Sequence, residues 1–240
     1  SKTPDTTSKI SFKENNTLYD ENGVQFILNP FDEWYALIKA IELKEQNNSN
    51  TIHLIFVGLA DYDPIIRKAL ALGGDVAYRI NLNPTNSDEV AFQIAQFAKT
   101  MQYDLILTGK ETIDFNSGAV SGLLAAMLAI PDISLATSLN EVDNYLVVER
   151  EIEGGSEKIK TPTPVLISCQ KGMAEQRIPN MRNIMAARTK TLQVIEPAPY
   201  SPKTKNKQFE LQTPKTGVKI IDPNNLNELV NLLHTEAKVI

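Results

Sequence analysis

The stretch that decides the fold is Asp104 to Pro131, DLILTGKETIDFNSGAVSGLLAAMLAIP. An apolar run, Leu105 to Leu107, ends at Thr108-Gly109, and a polar loop follows. An apolar helical segment, Gly122 to Ile130, then opens behind Ser117, Gly118 and Ser121. Strand, small-residue loop, helix is the order in which α/β proteins hold anions, because helix-start N–H groups and the dipole's positive end face that loop. The same small residues also permit close helix–sheet packing. No Gly-Lys-Thr/Ser closes the loop, so it is not a Walker loop.

Working outward, strand and helix patterns alternate. Thr51 to Gly58 reads as a buried strand, Pro64 to Leu72 as a helix stopped by Gly73-Gly74, and Val76 to Leu82 as the next strand. Ser87 is expected to cap a helix that carries Val90, Ile94 and Phe97. Upstream, Asn29-Pro30-Phe31-Asp32 starts a helix that runs to about Glu45. This alternation predicts an α/β fold, a doubly wound, mostly parallel sheet with helices on both faces, Rossmann-like in its layout. The ends Val57-Gly58 and Thr108-Gly109 converge on one sheet edge, where ligands of such folds bind.

Beyond Pro131 the pattern changes. Tyr145 to Glu151 alternates, Gly154-Gly155 turns, and Lys158 to Lys160 leads to Pro164-Val165-Leu166-Ile167, an antiparallel hairpin returning to the sheet. A helix is expected from Asn180 to Arg188. Residues 1–195 therefore read as a nucleotide-binding domain, and 196–240 as a Pro-rich linker and C-terminal arm ending in a Leu226–Leu233 helix. That amphipathic helix must dock on this domain or on a partner to bury its face.

The 240 residues carry a net charge of −5, and the pI near 5.2 argues against a nucleic-acid binder. Lys203, Lys205 and Lys207 read as solvated linker positions. One cysteine, Cys169, excludes an internal disulfide and fits a reducing compartment. No apolar run approaches a membrane span in length. His53 and His234 have no metal-ligand spacing, and no catalytic constellation is visible, which leaves the small-residue loop and the strand ends as the features to read, both pointing to a bound nucleotide. An ATP-using enzyme on the same sheet would need a Ser-Gly-Gly-x-Asp-Ser type loop, and a nucleotide-sensing module would leave the hairpin and arm unexplained.

Several segments resemble, in order, the β subunit of electron-transfer flavoprotein. Asn29 to Glu33 resembles its NPF-opened helix, Ala69 to Asp75 its ALAMGAD stretch, and Asp104 to Lys110 with Ile113-Asp114 its GK–ID loop. Val148 to Gly155, VEREIEGG, is similar to its VEREIDGG hairpin. Arg177 with Asn183-Ile184-Met185 and Ala187, and Thr216 to Lys219 with the last helix, resemble later family segments.

The resemblance implies a non-catalytic partner in a heterodimer whose α subunit holds most of the redox FAD, while the β subunit binds AMP. It implies flavin dehydrogenases such as acyl-CoA dehydrogenases as donors and electron-transfer flavoprotein–quinone oxidoreductase as acceptor, in a bacterial cytoplasm. Carried over, the nucleotide should meet Thr6, Asn29, Val57, Gly58, Asp114, Ser117, Gly118, Ala119, Val120 and Ser121. Gly118, Ala119 and Val120 stand where the AMP-binding pattern has Asn, Gln and Thr, leaving the phosphate to backbone N–H groups. Ser117 to Val120 resembles electron-bifurcating relatives, whose β subunit holds a second FAD, whereas the hairpin resembles the single-FAD branch. Arg177 matches a flavin-side arginine, and Met181, Ile184 and Met185 fall in the docking segment for dehydrogenases. The family also opens with a strand immediately before Lys2 to Thr6, so the first strand is expected to be missing from this chain.

Overall fold

A computed structural model describes residues 1–213 and 217–240. Thr216, the start of the matched C-terminal stretch, lies outside the described residues. Contacts separate two units, Ser1–Phe209 and Glu210–Ile240.

The first unit opens with four short strands, β1 (Lys2–Pro4), β2 (Ser11–Lys13), β3 (Leu18–Asp20) and β4 (Phe26–Leu28). β1 pairs antiparallel with β4, and β2 with β3. Then come α1 (Asp32–Gln46), β5 (His53–Val57), α2 (Asp63–Leu72), β6 (Val76–Ile80), α3 (Ser87–Ala98), β7 (Leu105–Gly109) and α4 (Val120–Leu128). The next strands are β8 (Asp132–Val142), β9 (Tyr145–Ile152), β10 (Gly155–Thr161) and β11 (Val165–Cys169). α5 (Met181–Ala187) and β12 (Leu192–Ile195) close the series.

The expected doubly wound α/β architecture is present. β12, β6 and β5 form one parallel group, and β7, β11 and β8 another. β8, β9 and β10 extend the second group as an antiparallel meander. Helices cover both faces. Leu37, Ile38 and Ile41 of α1 pack with Ile66 and Leu70 of α2 against Phe56. On the other face, Ala91 and Ala95 of α3 meet Leu124 and Ala125 of α4 over Leu166. β11 shows why both faces are needed, since Leu166 points to that cluster while its neighbours Val165 and Ile167 join the α1 side. Ile38, Ile66 and Leu70 have no exposed surface, so truncating one to alanine costs about 2–5 kcal/mol.

Three differences from the sequence reading have plain causes. α3 is capped by Asn86, whose side chain accepts from the Glu89 N–H, and Ser87 is instead its first helical residue. β8 is an eleven-residue strand that the sequence did not announce, because a register shift between Ala136 and Ser138 breaks its two-residue alternation.

The stretch read as a linker also begins differently. Residues 198–206 form a strap along α3, and Phe209 reaches the β2–β3 hairpin. Gln93 donates to the Ala198 carbonyl at 2.7 Å and accepts from its N–H at 2.9 Å. Tyr200 stacks on Phe92 with centroids 4.3 Å apart and donates to Asp88. Phe209 stacks on Phe12 at 5.2 Å.

The second unit holds α6 (Leu226–Leu232), continued by a π-helical turn, Leu233–Ala237. Lys219 pairs with Glu236 at 3.2 Å, and Leu226, Leu229 and Val230 are exposed.

Candidate functional site: strand ends and an apolar patch

β5 and β7 are both followed by glycine-dependent approaches. A Cβ at Gly109 would lie 2.6 Å from the Glu33 backbone nitrogen, so only glycine lets the N-terminus of α1 come this close to β7. The turn before α1 carries Asn29, which is fully buried. Its Nδ2 donates to the Glu111 carbonyl at 3.1 Å, whereas its Oδ1 is a buried acceptor without a partner. A native core seldom leaves such an atom unsatisfied without a reason.

The loop after β7 stays open. Asp114, Phe115, Asn116, Ser117 and Gly118 are all exposed. Asn116 and Gly118 have φ of 48° and 58°, and the nearest atom to a Cβ at Gly118 would be 3.8 Å away. α4 starts at Val120 without a side-chain cap from Ala119, and a helix's first N–H groups have no intrahelical acceptors. Ser117 Oγ lies 3.1 Å from Ser87 Oγ, which puts the first turn of α3 beside the loop. Ser121 turns inward instead. Its hydroxyl pairs with Thr108 at 2.7 Å and donates to the Gly109 carbonyl at 3.4 Å, tying α4 to β7.

At the end of β5, a Cβ on Gly58 would meet the Tyr62 ring at 2.6 Å, so that ring covers Gly58. Burial, aided by Asp61, Asp114, Glu21 and Glu33, pushes the Tyr62 hydroxyl up to about 12. Asp114 therefore shares one electrostatic neighbourhood with the end of β5. Val57 buries its side chain in the α3 cluster and leaves only backbone for a ligand. Thr6 is exposed in the turn after β1 and, among the described residues, makes no hydrogen bond to this group.

Sequence reasoning missed an adjoining cavity of about 400 Å³, lined by Phe31, Asp32, Tyr35, Lys110, Asn116 and Lys171 among others. Burial raises the Asp32 carboxyl, while the nearby Lys110 charge opposes that rise. The pairing of Gly109 with Lys110 after the strand was the available signal, since it places an ammonium at the N-terminus of α1.

The residues expected from the sequence to dock a partner lie on α5 and the segment before it. α5 is capped by Asn180, and Ala187 is its single buried residue. Ile178, Met181 and Met185 are 91%, 73% and 54% exposed, and Ile184 adds to the patch. Isolated apolar side chains on a surface need no explanation, but here four are grouped on one short segment as an exposed apolar patch. Arg177, in the segment before α5, pairs with the last turns of α1, 2.7 Å from Glu45 and 3.8 Å from Glu42, and its ion pairs are not at the strand ends.

A family model described as Electron transfer flavoprotein domain matches residues 16–200. The chain is 36% identical to Electron transfer flavoprotein subunit beta of Bacillus subtilis (strain 168), covering 100% of this chain and 97% of that one. The chain belongs to the electron-transfer flavoprotein β-subunit family.

Similarity to subunits of the same name from Homo sapiens and Syntrophomonas wolfei is 31% in each case. The human match covers 79% of this chain and 76% of that one, and the Syntrophomonas match 91% and 86%. Among the described residues no group of His, Cys, Asp and Glu could hold a metal ion. His53 hydrogen-bonds Tyr103 at 3.0 Å, and burial raises the Cys169 thiol well above its ordinary value. No described helix is long and apolar enough to cross a membrane.

Proposed function

We propose that this chain is the β subunit of a heterodimeric electron carrier. In this reading an α subunit holds most of the FAD, and the β chain binds AMP at the ends of β5 and β7. The observation that carries it is the fully buried, unpartnered Asn29 Oδ1 beside an open loop at an uncapped helix start. An adenine amino group is a donor that such an acceptor lacks. Gly118, Ala119 and Val120 would hold the phosphate through backbone N–H groups, with the Ser117 hydroxyl beside them.

When bound, FAD supplies the redox chemistry, accepting electrons from a flavin dehydrogenase and passing them towards the respiratory chain. This chain's residues bind, orient and dock. Asn29 and the loop fix the nucleotide, and Phe31 and Lys110 line the neighbouring cavity where the partner's flavin would lie. Ile178, Met181, Ile184 and Met185 offer an apolar anchor to acyl-CoA dehydrogenases or related donors. Met suits this role because its side chain adapts to several pockets. The electron-transfer flavoprotein–quinone oxidoreductase would be the acceptor.

A second reading has its own observation. The loop presents no side-chain donor at Gly118, Ala119 or Val120, so it also admits the larger diphosphate of a second FAD. Denaturing extraction and mass spectrometry of the heterodimer decides between them. One FAD and one AMP support the first reading, and two FAD without AMP support the second. No adenine nucleotide beyond the flavin, and no stable α partner, would overturn both.

A further inference from the structure

We propose that Arg67 and Lys190 form a reciprocal clamp that sets the orientation of the α5 docking patch, which makes both of them positioning residues for electron delivery. The inference rests on the reading of α5 as the dehydrogenase contact.

α5 cannot hold itself in place. It has seven residues, and six of them are exposed. Its one buried side chain, Ala187, sits in the α2 cluster. What fixes it otherwise is charge against backbone. Arg67, on α2, donates through Nη1 to the Ala187 carbonyl at 2.9 Å and to the Lys190 carbonyl at 2.5 Å. Lys190, just beyond α5, donates through Nζ to the Leu70 carbonyl at 3.0 Å and the Gly74 carbonyl at 2.6 Å.

Each cation thus serves backbone acceptors at the C-terminal end of the other's helix, where carbonyls lack intrahelical partners and the dipole is negative. One half of the clamp runs from α2 to the end of α5 and the other from beyond α5 back to the end of α2, so the last turn of α5 cannot swivel without breaking bonds to charged donors. These are stronger than neutral ones. Neither residue touches the strand-end site. Losing the clamp should therefore leave nucleotide and flavin in place while Met181 and Met185 lose their fixed direction.

The test uses the complete heterodimer with an acyl-CoA dehydrogenase reduced by its own substrate. Arg67→Met and Lys190→Met should each raise the KM for the dehydrogenase about tenfold, with kcat and bound FAD close to the parent. Arg67→Lys, which keeps one charged donor, should recover part of the loss. Amide exchange in residues 181–187 should accelerate in both methionine variants. Met181→Glu separates the two ideas. If it leaves KM unchanged, the docking reading fails, and this inference with it. If Met181→Glu raises KM but both clamp variants do not, the clamp inference alone fails. Loss of flavin from both clamp variants would also overturn it, because the clamp would then hold the fold rather than aim the patch.

Discussion

Asn29 shows how one side chain can be legible in the sequence and still need the structure to explain it. The Asn29-Pro30-Phe31 motif marks the start of a helix. Only the fold reveals that Nδ2 is spent on Glu111 while Oδ1 is buried without a donor. Asn29→Ala removes both, leaves the Glu111 carbonyl short of a partner, and should cost about 1–3 kcal/mol in urea unfolding of the nucleotide-free chain. The same variant should also lose most of the AMP that co-purifies with the parent heterodimer. Retention of AMP at the parent level would show that Oδ1 is not the adenine contact. Ser121 makes the opposite point. Its place in a small-residue loop suggested an outward hydroxyl, but Thr108 and Gly109 draw it inward. Spacing alone carries no information about which way a hydroxyl faces.

Elements were most legible where one periodicity ran unbroken. β5 and α2 lie within a residue or two of their sequence positions because β-branched runs and a 3.6-residue stripe need no distant partner. β8 was hidden by its bulge, and the strap by its composition, since Pro197, Pro199 and Pro202 read as linker. What orders the strap is tertiary. Asp88 accepts from the Lys203 N–H at 3.0 Å, from the Tyr200 hydroxyl at 2.9 Å and from Thr204 at 3.3 Å. The Lys203 N–H above all, with the Tyr200 and Thr204 hydroxyls, holds the Asp88 carboxyl below its ordinary value. A carboxylate depressed in this way stabilises the docked strap above its ordinary pKa of about 4, and that contribution is lost as pH falls through the folded value. Protection of amides 198–206, measured against the intrinsic exchange rate at each pH, should therefore fall below about pH 4 in the parent. Asp88→Asn should show low protection at every pH, and parent protection that stays constant from pH 6 to pH 3 would remove Asp88 as the hub.

At the scale of the molecule, the nucleotide loop and the α5 patch are separate surfaces on one α/β unit. The scaffold between them was readable from alternation. The proposed contact chemistry was not, because it would rest on backbone N–H groups and on side chains left bare. Both look like ordinary loop and helix until burial is known.

The strand pairing also carries information about time. β8, β9 and β10 are joined by tight turns, with Val142 opposite Tyr145 and Ile152 opposite Gly155. β6, by contrast, must wait for β12, whose Leu192 pairs with Ala77 across most of the domain. Loop closure over such a separation is slow, whereas a hairpin closes locally. In pulse-labelled exchange during refolding, amides of β9 and β10 should gain protection before those of β12, and simultaneous protection would refute that order. A ribosome releasing this chain has therefore exposed the meander, α5 and the ends of β5 and β7 before β12, the strand that completes the β5–β6 sheet, emerges.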